Sequence, residues 1–274
     1  MDNISDLKKK VGEIRTDIIN MISKAGSGHP GGSLSSAELL SALYFSKMKH
    51  NPEKVDWPDR DRFILSKGHA CPLLYAILAK SGYFASSNLD TLRQTDSILQ
   101  GHPDRIKTPG VDMSSGSLGQ GLSVGVGLAL AAKLDRKDWR TYVLMGDGEL
   151  QSGAIWEAAM SASHYKLDNL CGIVDCNRFQ IDGAVEDIMN IGPVVDKWKA
   201  FGWNSIEIDG HNLQEILKAY DDAAAAKDKP TVIVANTVKG KGVSFMENVC
   251  DWHGKAPDGE QCSQAVREIE KLHE

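Results

Sequence analysis

Apolar residues at Ile4, Leu7, Val11, Ile14, Ile18 and Ile22 recur every three or four positions, the spacing that lines one face of an α-helix. An amphipathic helix is therefore predicted over residues 4–25. It ends at Gly26-Ser27-Gly28-His29-Pro30-Gly31-Gly32, a run too rich in glycine for helix or central strand, so a loop is expected there. Ser35 and Glu38 have the spacing of a capping box and predict a helix that ends near Lys49. Beyond it, short apolar runs alternate with helical ones. Strands are predicted at 62–65, 142–145, 170–174, 204–208 and 231–235, and helices at 71–80, 122–132, 194–201, 213–226 and 260–272. The run 231–235 is β-branched, as buried parallel strands are. Strands that alternate with helices predict an α/β fold, doubly wound, with a mostly parallel sheet covered by helices on both faces. A single domain over 1–274 is expected, and 42% hydrophobic content is ample for its core.

Charge narrows the partners. A formal net charge of −6 argues against a nucleic-acid surface, and the one basic run, Lys8 to Lys10, reads as a solvated helix face. No apolar signal core opens the chain, and the most apolar stretch, 118–132, is too short and glycine-rich to span a bilayer, so no membrane is expected. Five cysteines form no CxxC pair, and an odd number is a poor disulfide framework. A reducing compartment, the cytoplasm, is the expected location. Cys250, His253 and Cys262 lack a fourth ligand at zinc-site spacing.

The chemistry gathers after the strands. The runs 142–145 and 170–174 are followed by Asp147, inside Gly-Asp-Gly, and by Asn177. In an open parallel sheet ligands collect at the carboxyl ends of strands, and glycine-flanked turns let backbone N–H groups approach phosphate. A carboxylate, an amide oxygen and a backbone carbonyl suit Mg²⁺, which completes its shell with phosphate oxygens and water. A metal-diphosphate site is predicted. Histidines recur in glycine turns: Gly28-His29-Pro30, Ser66-Lys67-Gly68-His69 and Gly101-His102-Pro103. By themselves His29 could face solvent or a ligand, and His69 could cap the helix after it. The small-residue turn at 114–121 precedes a helix and suits either an anion or close helix packing. Lys239-Gly240-Lys241-Gly242 follows the strand 231–235, where lysine could neutralise phosphate or form a flexible basic loop.

Gly146-Asp147-Gly148 with Asn177 resembles the fingerprint of thiamine-diphosphate enzymes. Joined in order by the three histidine turns, Gly116-Ser117-Leu118-Gly119-Gln120-Gly121 and Trp252-His253-Gly254, it resembles the N-terminal, diphosphate-binding part of a transketolase over nearly the whole chain. That resemblance implies thiamine diphosphate and Mg²⁺, for which Ca²⁺ or Mn²⁺ could stand in. It implies Asp147, Asn177 and the Phe179 carbonyl as metal ligands, with Gly148 and Asn177 on the diphosphate. Gly116, Ser117, Leu118 and Ile181 would line the cofactor, with Lys67 and Lys239 near its diphosphate. His69 and His253 would lie near the reacting centre, and His29, His102 and His253 would bind sugar hydroxyls and assist proton transfer.

Two departures stand out. Members usually carry Glu where this chain has Ser152, and full transketolases are more than twice as long. The glutamate that activates the cofactor's aminopyrimidine is expected from a separate C-terminal subunit, in an assembly with two copies of each chain. The resemblance thus implies the N-terminal subunit of a split transketolase, moving a two-carbon ketol unit between sugar phosphates. Half of a 2-oxo acid dehydrogenase or deoxyxylulose-phosphate synthase, a transketolase for an unusual sugar phosphate, and a non-catalytic cofactor-binding module are the other readings.

Overall fold

In the computed structural model, which describes residues 4–273, strands β1 (Arg62–Leu65), β2 (Thr141–Gly146), β3 (Leu170–Cys176), β4 (Asn204–Asp209) and β5 (Thr231–Asn236) form one sheet in the order β1-β2-β3-β5-β4. Every neighbouring pair is parallel. The period of two along a strand splits its side chains between two cores. Phe63, Leu65, Tyr142, Leu144, Cys171, Ile173 and Ile233 face one, while Ile64, Val143, Met145, Val174, Val232 and Val234 face the other.

Ten α-helices accompany the sheet among the described residues. They are α1 (Ile4–Ala25), α2 (Pro30–Leu34), α3 (Ala37–Ala42), α4 (Cys71–Lys80), α5 (Gln120–Leu134), α6 (Gly153–His164), α7 (Val185–Met189), α8 (Val194–Ala200), α9 (Leu213–Ala225) and α10 (Gly259–His273). Apolar side chains of α1, α3, α4, α9 and α10 fill the first core, and those of α5, α6 and α8 fill the second. Helices on both faces of the all-parallel sheet bury β1, β2, β3 and β5 almost throughout, which is why those strands read as apolar runs, while in the edge strand β4 only Ile208 is buried. Among the described residues no helix is long and apolar enough to cross a membrane.

Most predicted elements lie within two residues of the observed ones, and the exceptions cluster in one place. Pro30-Gly31-Gly32, expected as loop, opens α2. Proline suits a helix start, and a Cβ on Gly31 would lie 2.9 Å from the Trp252 carbonyl oxygen, so close packing rather than flexibility calls for glycine. The capping box does not form. Ser35 Oγ instead donates to Asp175 Oδ2 at 2.7 Å, and Glu38 takes two bonds from Arg15. The residue at the start of α3 is Ser36, without a side-chain capping bond. The expected long helix also stops at Ala42 and gives way to a π-helical turn, Leu43–Lys47. For Ser35 and Glu38 a buried tertiary partner outcompetes a local backbone bond.

Candidate active site

The chain passes through β1, β2 and β3, jumps to β4 at the far edge, and returns to β5 beside β3. The strand order therefore reverses between β3 and β5. Crevices form at such a switch point beyond the carboxyl ends of the strands. Here β2 delivers Asp147, β3 delivers Asn177 and Phe179, and β5 delivers Lys239 to one cavity of about 220 Å³. His69 from the turn after β1 and His253 from the 3-10 turn Cys250–His253 complete it, with Gly148, Leu118 and Ile181 at its wall.

Asp147 is buried, with Oδ1 accepting from Gly148 N at 2.7 Å and Oδ2 from Arg178 N at 2.5 Å. Burial, and then the neighbouring Asp175, push its carboxyl up to about 6. The Asn177 amide is fixed both ways round. Its Nδ2 donates to Asp175 Oδ2 at 2.8 Å, and its Oδ1 accepts from Phe179 N at 3.1 Å. Arg178 between them is in the left-handed region at φ 65°, and the turn closes as Phe179 bridges Ala184. A carboxylate whose charge burial opposes, an oriented amide oxygen and the Phe179 carbonyl form a hard-oxygen donor set suited to a small divalent cation. The Phe179 carbonyl accepts from Lys239 Nζ at 3.4 Å, so a cation of the protein already faces these oxygens.

Two buried charges hold the turns of the site together. Lys67 spends its three N–H donors on Gly32 O at 2.8 Å, Ser36 Oγ at 2.7 Å and Asp175 Oδ2 at 2.7 Å. It lines the cavity, near where the diphosphate is expected, with all three donors committed to the protein. Gly148 N is likewise taken by Asp147. The anion at the start of α5 is internal. Glu149 Oε1 accepts from Gly119 N at 2.7 Å and from Ser66 Oγ, while Oε2 accepts from Gly146 N at 3.2 Å. One carboxylate thus ties together the turns after β1 and β2 and the turn before α5. Glu149 follows Gly-Asp-Gly directly, yet its role depends on tertiary neighbours that no local spacing reveals.

The four predicted histidines divide three and one. His29, His69 and His253 pack ring against ring, with centroids 5.3, 5.5 and 5.1 Å apart. His102 is exposed, its ring against Gly116, where a Cβ would lie 3.3 Å away. Ala70, not His69, is the N-cap of α4, so the capping alternative for His69 falls. Gly68 and Gly116 explain how the turns stack: a Cβ on Gly68 would meet Gly116 N at 2.9 Å. Beneath the His102 loop, the Tyr75 hydroxyl bonds the carbonyls of Gln100 and His102 at 2.9 and 3.0 Å, a support with no signature in the sequence. Arg93, equally without a signature, donates to Ser27 Oγ at 2.8 Å and lies 3.4 Å from His29 Nδ1. Ser152, where a glutamate was expected, lies under Gly119 and offers no acid.

Burial depresses all three clustered imidazoles. His29 falls to about 4, helped by Arg93; His253 falls to about 4, helped by Lys239; His69 falls well below its ordinary value, helped by Lys67. At neutral pH they are uncharged, each with one donor and one acceptor, as hydroxyl recognition requires. Their linkage to folding has one sign. Unfolded histidine takes up protons below about 6.5 and the folded trio does not, so the stability they contribute is full above that pH and is lost as the pH falls toward 4. Asp147, raised to about 6, works in the opposite sense in the same window but is one group against three. We expect the thermal midpoint to fall between pH 7 and 5.5, before ordinary carboxylates titrate, and His69→Gln to flatten that fall. A midpoint level across this range would refute the assignment.

Residues 7–271 match the family model described as transketolase, thiamine diphosphate binding domain. The chain is 46% identical over 255 residues to one of the subunits of apulose-4-phosphate transketolase from Phocaeicola vulgatus, covering 93% of this chain and 90% of that protein. It is 47% identical over 266 residues to 6-deoxy-6-sulfo-D-fructose transketolase subunit SqwG of a Clostridium species, covering 97% of each. The crystal structure of transketolase from Campylobacter jejuni superposes with a TM-score of 0.93 at 37% identity, over 98% of this chain and 43% of that one. The chain thus spans less than half the length of that solved transketolase.

Proposed function

The chain belongs to the transketolase family, in its thiamine-diphosphate-binding domain, and from that premise we propose that it is the N-terminal subunit of a two-polypeptide transketolase. The observation that carries this reading is the convergence of Asp147, Asn177, Phe179, Lys239, His69 and His253 on one cavity at the β3/β5 switch point, with His29 packed against the two histidine rings. Asp147, Asn177 and the Phe179 carbonyl would hold Mg²⁺, and Lys239 would face the diphosphate. Thiamine diphosphate, when bound, supplies the electron sink for moving a two-carbon unit.

The protein's own groups orient and shuttle. Lys239 Nζ lies 3.1 Å from His253 Nδ1, which leaves that ring's other nitrogen free to meet a sugar hydroxyl. His69 lines the same cavity and His29 packs against both rings, each a neutral donor-acceptor. Relatives that are themselves named as transketolase subunits support a separate partner polypeptide, which would bring the activating glutamate. Apolar side chains at the cavity rim, Leu118 at 45% and Ile181 at 68% exposure, would be covered by it. Two copies of each chain, in the cytoplasm, complete the proposal.

The two relatives' names carry different anionic ends, a phosphate in one and a sulfonate in the other, while this chain is 46% identical to the first and 47% identical to the second. This favours a shared ketol-handling end in this chain and discrimination of the far end by the partner. Purified alone with thiamine diphosphate and Mg²⁺, the chain is expected to show no ketol transfer, and added C-terminal subunit should restore it. Robust transfer by the single chain would overturn the two-polypeptide reading.

A further inference from the structure

A buried charge relay outside the cavity ends one residue short of Lys239. Arg15 Nη2 donates to Glu38 Oε1 and Oε2 at 2.8 and 2.7 Å. Glu38 Oε2 lies 3.1 Å from His211 Nδ1, and His211 Nε2 is 2.9 Å from Val238 N. A backbone N–H only donates, so Nε2 must be the accepting nitrogen and Nδ1 carries the proton that goes to Glu38. One tautomer of a neutral ring satisfies both ends.

Strand pairing sets up this contact. Asp209 and Asn236 are paired at the ends of β4 and β5, which brings the turn after β4 alongside the segment that leads to Lys239. Gly210 lets the two turns touch, since a Cβ there would lie 2.4 Å from Thr237 Cγ2. His211 therefore holds Val238 where β5 ends, while Gly240 N is held on Gly31 O at 3.0 Å just beyond. Between these two pins Lys239 projects into the cavity.

We propose that His211 is a positioning residue for Lys239, fixing through the Val238 N–H the backbone that aims this lysine at the anionic end of the ligand. The inference rests on Lys239 facing the diphosphate, and it adds a determinant of affinity that touches neither cofactor nor substrate. His211→Asn separates the two bonds. Its shorter amide can still donate to Glu38 but does not reach Val238, so the relay stays satisfied and the pin is lost. His211→Gln reaches far enough to accept from Val238.

The test is calorimetric titration of thiamine diphosphate with Mg²⁺ into the full chain assembled with its partner subunit. Wild-type binding is measured first, and its absence would overturn the reading of the site itself. Given wild-type binding, His211→Asn should weaken affinity about tenfold, the scale of lost outer-shell support, and His211→Gln should recover most of it. In a Lys239→Met background His211→Asn should change nothing further, because its effect passes through that lysine. Unchanged affinity in His211→Asn, or an equal loss in both backgrounds, would overturn the proposal. Should the Asn variant not fold, His211→Gln alone decides: affinity near wild type, which falls when Lys239→Met is added, supports it, and a tenfold loss by itself refutes it.

Discussion

Asp147→Asn is expected to abolish Mg²⁺-dependent binding of thiamine diphosphate while leaving the fold in place. The carboxylate is buried, takes one backbone N–H on each oxygen, and still sits at about 6 because burial and Asp175 oppose its charge. Relative to an ordinary aspartate at 3.8, that shift corresponds to about 3 kcal/mol of destabilisation of the cation-free chain at neutral pH. The folded state prefers the proton, so the cost is full above pH 6 and vanishes as the pH falls toward 4. Asparagine removes this cost but leaves one of the two N–H groups without an acceptor, a loss of about 1–3 kcal/mol. The two nearly cancel. Stability within about 2 kcal/mol of wild type should therefore accompany an affinity loss of at least about 100-fold, beyond what outer-shell changes cause. Thermal melting without cation and cofactor titration with Mg²⁺ read the two halves separately. Binding within threefold of wild type would remove Asp147 from the metal site.

Lys67→Met should do the reverse, striking stability first. Lys67 and Asp175 are 1% and 0% exposed, and their ion pair is 2.7 Å long. Although burial opposes its charge, Asp175 is held below the ordinary carboxylate range by Lys67, with help from Ser35 and Thr237. Removing the lysine strands a buried carboxylate, and breaking such a pair costs about 3–5 kcal/mol. A drop of roughly 10 °C in thermal midpoint is the expected result for a chain of this size. Adding Asp175→Asn to Lys67→Met should recover much of the midpoint, since the stranded charge is gone, but not the cofactor affinity, since Asn177 loses its carboxylate anchor. A single variant that melts within 2 °C of wild type would show that the pair carries little stability.

The surroundings of these two residues are legible in the sequence to different degrees. Asp147 was legible because Gly-Asp-Gly at the end of an apolar strand has few structural explanations, and the fold put it where open α/β sheets put ligands. Lys67 was legible as a residue of the site, but the partners of its three donors were not. A lysine in a turn after a strand looks the same whether it meets a phosphate or a carboxylate 108 positions away. Ser35 misled in the same manner: its spacing to Glu38 spelled a capping box, and Asp175 and Arg15 claimed the two side chains instead. Glu149 and His211 carried no signal, because each is defined by backbone N–H groups of distant turns.

By itself the sequence determined the alternation of strands and helices, the parallel sheet buried on both faces, and the placement of Asp147, Asn177 and the histidine turns after strand ends. Those are consequences of periodicity and of glycine's freedom, which act over a few residues. Only the tertiary structure decided that β4 lies outside β5, opening the crevice beside β3, and that three of the four histidines share one cluster. It also decided which charges face the ligand and which are consumed in holding the site. Burial makes an unpartnered charge costly, so each buried group binds whatever partner the packed chain brings within reach, and that choice exists only once the strands are in order.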